Sequence, residues 1–157
     1  MNADEFGALV LANEGLLYHV AYTALGSAQE CPDAVQDALL KAWKNRGALK
    51  EEKAFRAWLV RIVYNSCRDR FRSRPPIPVS FDENTPFEQA DNLPLQEALK
   101  SLPNDTRLSI VLYYLEGMKV SEVAQAQGVS EGTVKSRLSR GRTMLKGLLT
   151  EEEHENE

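Results

Sequence analysis

Two groups of side chains in this sequence are spaced for chemistry on a polyanion, and neither is spaced for catalysis. Thr133, Ser136, Arg137 and Arg140 recur at i, i+3, i+4 and i+7, so a helix here places four hydrogen-bonding side chains on one face. Hydroxyls and guanidinium groups on one helix face suit the donor and acceptor edges that bases show in a major groove. Lys135, Arg142 and Lys146 flank the face, where cations would meet phosphates. The second group is Arg61, Asn65, Arg68 and Arg72, at spacings of four, three and four, with Tyr64 and Phe71 among them. Rings stack on exposed bases while cations hold phosphates, so this mixture suits a strand with its bases unpaired. No nucleophile, base and orienting group occur together, and there is no phosphate-binding glycine loop. Two cysteines and two histidines make no metal-ligand set. The residues describe a protein that binds, with no catalytic residue, cofactor or metal expected.

The first group needs a helix-turn-helix to carry it. Ser121 and Ser130 are placed to cap two helices, since a serine oxygen accepts from the free amides of a first turn. Gly128 stands where the first helix must end in a left-handed residue. Ala124 is small where two helices cross, and Val134 and Leu138 face inward. An αα-hairpin with a merely solvated polar face is the plainer alternative. The helix before it is predicted from Ile110, Val111, Tyr114 and Leu115, after Pro103.

The second group needs a helix over 54–72, with Phe55, Trp58, Leu59 and Ile62 as its buried stripe. Leu9, Leu16, Leu17, Val20 and Leu25 predict one long helix ahead of it. Pro32 suits a first helical turn, and Val35, Leu39, Ala42 and Trp43 follow at helical spacing. That helix turns Asp33, Gln36, Asp37, Lys41 and Lys44 outward, which by itself is ordinary solvated surface. Trp43, Trp58, His19 and Cys67 read as packing residues. No segment shows strand alternation.

The elements form an all-α chain of two small helical domains joined by an extended linker. Five of the seven prolines fall within 75–94, a stretch with four acidic and no basic side chains. It separates a block at 1–74 from one at 95–150, and an acidic, frayed tail is expected at 151–157. Net charge over the 157 residues is −4, but the balance is segregated: +2 in 1–74, −4 in 75–94, +3 in 95–150 and −5 in the tail. Local charge governs binding, so the acidic total does not exclude nucleic acid. The start of the chain lacks a basic region followed by an apolar run, so no export signal is expected. With only two cysteines, the expected setting is the reducing cytoplasm.

At this point the residues resemble a known family. Residues 32–43 resemble the polymerase-binding helix of the second domain of bacterial sigma factors, and 55–65 the helix after it, which binds the −10 promoter element. Leu102 with Pro103, residues 115–117 and residues 132–140 resemble the fourth sigma domain, which reads the −35 element. The match spans nearly the whole chain, in order, and is identified with the extracytoplasmic-function (ECF) sigma factors of the sigma-70 family. The resemblance implies that Asp33, Gln36, Asp37 and Lys41 contact core RNA polymerase. It implies that Arg61, Tyr64, Asn65, Arg68 and Arg72 meet the −10 element, with the 45–53 loop holding an unstacked base. Thr133, Lys135, Ser136, Arg137 and Arg140 would meet the −35 element. An anti-sigma factor is the further partner implied, beside core polymerase and promoter DNA. Four positions depart from the family pattern: Leu39 replaces a common phenylalanine, Tyr64 a basic residue, Gln127 an apolar residue and Gly141 an alanine. Gly141 is expected to loosen its helix by about 1 kcal/mol relative to alanine. The rival readings are a free-standing helix-turn-helix regulator, which would dimerise on half-sites, and a helical adaptor without DNA contact.

Overall fold

The computed structural model describes residues 1–73 and 93–155, and the chain divides into two compact units, Met1–Pro86 and Phe87–Glu157. Most of the proline-rich stretch expected as a linker lies outside the described residues. Its last two residues do not: Leu93 and Pro94 begin the first helix of the second unit. Every regular element among the described residues is helical.

The first unit opens with α1 (Ala3–Ala12) and α2 (Glu14–Leu25), where a single long helix was predicted. Asn13 makes the break. Its side-chain amide donates to the Leu9 carbonyl at 2.7 Å, and its backbone leaves helical geometry at ψ 17°. The break frees α1 to drop Phe6 edge-on against Trp43 and Phe55, with ring centroids 5.3 and 5.9 Å away. A capping box starts α1: the Glu5 amide donates to Asn2 Oδ1, and the Asn2 amide to Glu5 Oε2. Gly26, left-handed at φ 72°, ends α2.

Helices α3 (Cys31–Lys44) and α4 (Phe55–Arg72) pack on α2 and on each other, with Pro32 in the first turn of α3 as expected. Two short 3-10 turns, Arg46–Ala48 and Glu52–Ala54, join them. Lying against two neighbours, α4 buries a wider sector than the predicted stripe: Phe55, Ala57, Leu59, Val60, Val63, Tyr64 and Cys67. Trp58 and Ile62 sit at the margin, half-buried. Burial, and next the neighbouring Cys31, push the Cys67 thiol up to about 12, so it stays protonated and inert at neutral pH.

The second unit contains α5 (Leu93–Lys100), α6 (Asn104–Ile110), α7 (Val120–Gln127) and α8 (Glu131–Glu155), with α8 packed on the other three. Helix α8 runs on to Glu155, so the segment expected to be frayed continues the helix as far as that residue. After Ile110 the backbone widens into a π-turn over Val111–Leu115, with the Glu116 amide donating five residues back to Val111. The widened turn rotates the apolar stripe. Leu112 and Met118 are buried where Tyr114 and Leu115 were expected, and Tyr114 is 50% exposed.

Arg107 lies inside this unit, only 2% exposed. Its guanidinium donates to the carbonyls of Leu99, Lys100 and Leu102 at 2.8, 2.9 and 2.6 Å and to Asn104 Oδ1 at 3.0 Å. It therefore adds a charged donor to carbonyls at the end of α5 and in the turn after it, and ties the Leu102–Pro103 turn to α6.

Gly141 marks the crossing of α8 over α6. A methyl group there would lie 2.8 Å from Ile110 Cδ1 and Cγ1 and 3.2 Å from Thr106 Cγ2. The glycine is thus an adaptation to close approach, not only the loss of helix propensity read from sequence. Gly141→Ala should gain about 1 kcal/mol in propensity and lose about 1–3 kcal/mol to overpacking. A thermal melt followed by circular dichroism should show a lower midpoint; a higher one would mean that Ile110 rotates aside freely.

Candidate nucleic-acid interface

In the second unit, α7, the turn and α8 form the expected helix-turn-helix. Gly128 adopts φ 68°, and the Val129 amide donates to the Ala124 carbonyl at 3.1 Å, closing the turn. Ser130 caps α8, accepting from the Thr133 amide at 3.1 Å, and its hydroxyl meets that of Thr133 at 3.0 Å. Ser121 is no cap: α7 starts one residue earlier, and the Lys119 amide is satisfied by Glu122 Oε1 at 3.2 Å. Val123, Ala124, Ala126, Val134 and Leu138 are buried between the helices.

This packing decides which side chains of α8 look outward. Lys135, Ser136 and Arg140 are exposed together, and Thr133 is half-buried at the cap. Ser139 joins the same face, three residues beyond Ser136, a spacing visible in the sequence but not used. Arg137 is placed differently. Its side chain is 17% exposed and turns back to α6, with Nη2 3.8 Å from Asp105 Oδ2. Arg142 is exposed but donates to the Tyr114 hydroxyl at 3.0 Å, and Lys146 lies further along the exposed side.

In the first unit, Arg61, Asn65 and Arg72 are exposed along one side of α4, with Arg68 half-buried among them. Tyr64, expected on this surface, is 4% exposed. The inward turn follows from the wide buried sector of α4, and the ring instead supports Arg68, whose guanidinium carbon is 5.7 Å from its centroid. Arg46 stacks on Trp43 at 3.7 Å in the connecting turns. There a cavity of about 780 Å³ is lined by Lys44, Arg46, Gly47, Leu49, Lys50 and Glu52, with Met1 and Glu5 of the N-terminus.

The outward face of α3 carries Asp33, Gln36, Asp37 and Lys41, all exposed. Two of them are braced from α4: Arg70 Nη1 donates to Asp37 Oδ2 at 3.3 Å, and Lys41 Nζ to Ser66 Oγ at 3.1 Å. Leu40, 54% exposed, sits in the middle of this polar face. Its position three residues after Asp37 and four after Gln36 was the available signal. An apolar side chain ringed by charges has the composition of a protein-contact centre.

A match to Sigma-70 region 2 covers residues 9–75 and one to Sigma-70 region 4 covers 92–145. The two helical units thus carry, in order, region 2 and region 4 of a sigma-70-class protein. The chain is 34% identical over 152 residues to the ECF RNA polymerase sigma factor SigM of Mycobacterium tuberculosis, spanning 92% of this chain and 76% of that protein. It is 32% identical over 137 residues to the ECF RNA polymerase sigma-E factor of Escherichia coli K12, with 74% and 72% covered. Among solved structures it is similar to the sigma factor RpoE of Bartonella quintana, determined with the anti-sigma factor NepR. That likeness has a TM-score of 0.79 and 27% identity over 94% of this chain and 98% of that one. CnrH, determined with the cytosolic domain of CnrY, gives 0.73 and 31% over 95% and 90%. The chain belongs to the ECF sigma factors of the sigma-70 family.

Proposed function

We propose that this sigma factor binds core RNA polymerase through the outward face of α3 and carries it to promoters read by α4 and α8. The observation that carries the reading is the pairing of two different surfaces on the chain. One is a charged face with an exposed leucine at its centre, suited to protein. The other is a capped, cationic helix behind a closed turn, suited to a major groove. Arg61, Asn65, Arg68 and Arg72 hold the −10 element, with Tyr64 supporting Arg68 from beneath. Lys135, Ser136 and Arg140 read the −35 element, with Thr133 at the cap beside the phosphates. The proline-rich stretch acts as the tether between domains.

The protein acts by binding rather than by catalysis. It works in the cytoplasm, where polymerase and promoter are; no helix among the described residues is long and apolar enough to cross a membrane. An anti-sigma factor is its further partner, as NepR is for the similar sigma factor RpoE. The test is transcription in vitro with purified core polymerase and genomic fragments: discrete start sites that depend on the chain are expected. Specific duplex binding by the chain alone, with no stimulation of polymerase, would favour a free-standing regulator.

The α3 surface has its own test. Gln36→Ala combined with Asp37→Ala should weaken binding to core polymerase at least tenfold. Stability should change by only about 0.5 kcal/mol, since both side chains are exposed and the Asp37–Arg70 pair is solvated. Titration of core polymerase against labelled protein reads the first effect, and a urea melt the second. Unchanged affinity would remove polymerase from this face.

A further inference from the structure

The end of α7 is fastened to α6 by polar bonds. Gln127, the last residue of α7, reaches across to α6 with both ends of its amide. Gln127 Nε2 donates to the Asp105 carbonyl at 3.0 Å, and the single Ser109 hydroxyl proton goes to Gln127 Oε1 at 2.6 Å, the nearer of its two acceptors, the other being the Asp105 carbonyl at 3.1 Å. The amide orientation is forced, because a backbone carbonyl only accepts and must face the NH₂ group. Ser109 is completely buried and Gln127 half-buried, so solvent competes little for these bonds. Gly128 and the turn follow at once, and Ser130 caps α8 three residues after Gln127. The clamp thus grips the chain just ahead of the point where α8 begins.

We infer that Gln127 and Ser109 form a clamp that sets the angle at which α8 enters the major groove, making Gln127 a positioning residue for −35 recognition; this rests on α8 being the −35 reader. Apolar contacts between helices hold volume but tolerate sliding, whereas two bonds from one planar amide admit a single orientation. The Arg137–Asp105 pair nearby cannot substitute for the clamp. At 3.8 Å, with Asp105 half in solvent, it adds little orientation. The clamp acts through the turn and touches no base itself.

The test separates positioning from mere stability. Gln127→Leu, Ser109→Ala and the double variant are compared with the native chain in two assays. One is thermal melting; the other is open-complex formation by reconstituted polymerase on a library varied at both promoter elements. Gln127→Leu alone removes the shorter bond of the Ser109 hydroxyl, leaving it only the Asp105 carbonyl at 3.1 Å beside an apolar group, and should lower the melting midpoint. The double variant replaces both partners by apolar groups and should recover part of that loss, since Ser109→Ala also gives up the bond to the Asp105 carbonyl. Discrimination among −35 sequences should fall about fivefold or more in both, with the −10 preference and core-polymerase affinity unchanged. Recovery of −35 discrimination together with the melting midpoint in the double variant would overturn the clamp, reducing it to packing. Undiminished discrimination in Gln127→Leu would overturn it also. Arg140→Ala in the same library distinguishes the two levels of failure. If it shifts −35 preference while Gln127→Leu does not, the clamp alone falls; if neither shifts it, the assignment of α8 to the −35 element falls with it.

Discussion

Arg107→Met should unfold the second unit under conditions in which the first remains intact. Methionine matches the length of the aliphatic stem but supplies none of the guanidinium's hydrogen bonds to the Leu99, Lys100 and Leu102 carbonyls and to Asn104 Oδ1. Three backbone carbonyls at the α5–α6 junction would lose a charged donor, in a place where Arg107 itself is almost fully buried. Bonds to a charged donor contribute about 1.5–3 kcal/mol each, though not additively, and stranded acceptors add a desolvation cost. A combined loss of about 3–5 kcal/mol is a large part of the stability of so small a helical unit. Arg107→Lys should recover only a fraction, because one ammonium cannot span acceptors arranged for a planar fork. The two tryptophans, Trp43 and Trp58, both lie in the first unit, which makes the measurement clean. In a urea titration, tryptophan fluorescence should keep its midpoint while the helical signal gains an earlier transition. A single transition at the native midpoint would show that Arg107 is dispensable.

Arg140→Ala should remove base discrimination at one or two positions of the −35 element, whereas Arg137→Ala should not. The two guanidinium groups lie three residues apart on α8, but only that of Arg140 is exposed beside Lys135, Ser136 and Ser139. Losing a bidentate contact to a base edge costs about 1–3 kcal/mol of discrimination, roughly 5- to 150-fold in relative promoter use. Arg137 faces Asp105, so its removal should lower stability slightly and affect all promoters nearly alike. Lys146→Ala should likewise weaken every sequence in parallel and lower the salt slope by about one, as loss of a phosphate contact does. Asn65→Ala should alter preference at the −10 element alone. Open-complex formation across a promoter library reads all four variants. An altered −35 profile with Arg137→Ala and an unaltered one with Arg140→Ala would reverse the assignment.

Much of what depends on neighbours along the chain was legible in the residues, although the Asn13 break between α1 and α2 and the start of α7 were not. Apolar residues at helical spacing specified an all-α class. Gly128 and Ser130 located the turn, because a left-handed residue and a hydroxyl cap act on backbone groups within three or four positions. The order of the two motifs was sufficient to name the family. What the spacing left open is the rotation of each helix about its own axis. Arg137 and Arg140 both fall within the polar stripe of α8, and only contact with α6 turns one inward and leaves the other outside. Tyr64 belonged equally to the basic and apolar margins of α4 until packing on both α2 and α3 widened the buried sector over it. Tyr114 left the apolar stripe because a π-turn changed the phase of the helix, and Leu40 stayed on the exposed face of α3 although its side chain is apolar. Arg107 and Gly141 lie further still from local reading, since their partners are carbonyls of a preceding turn and the side chains of a crossing helix. Helical periodicity fixes relative angles along one element; which sector is buried is set by the two or three elements packed against it, and those contacts exist only in the folded chain.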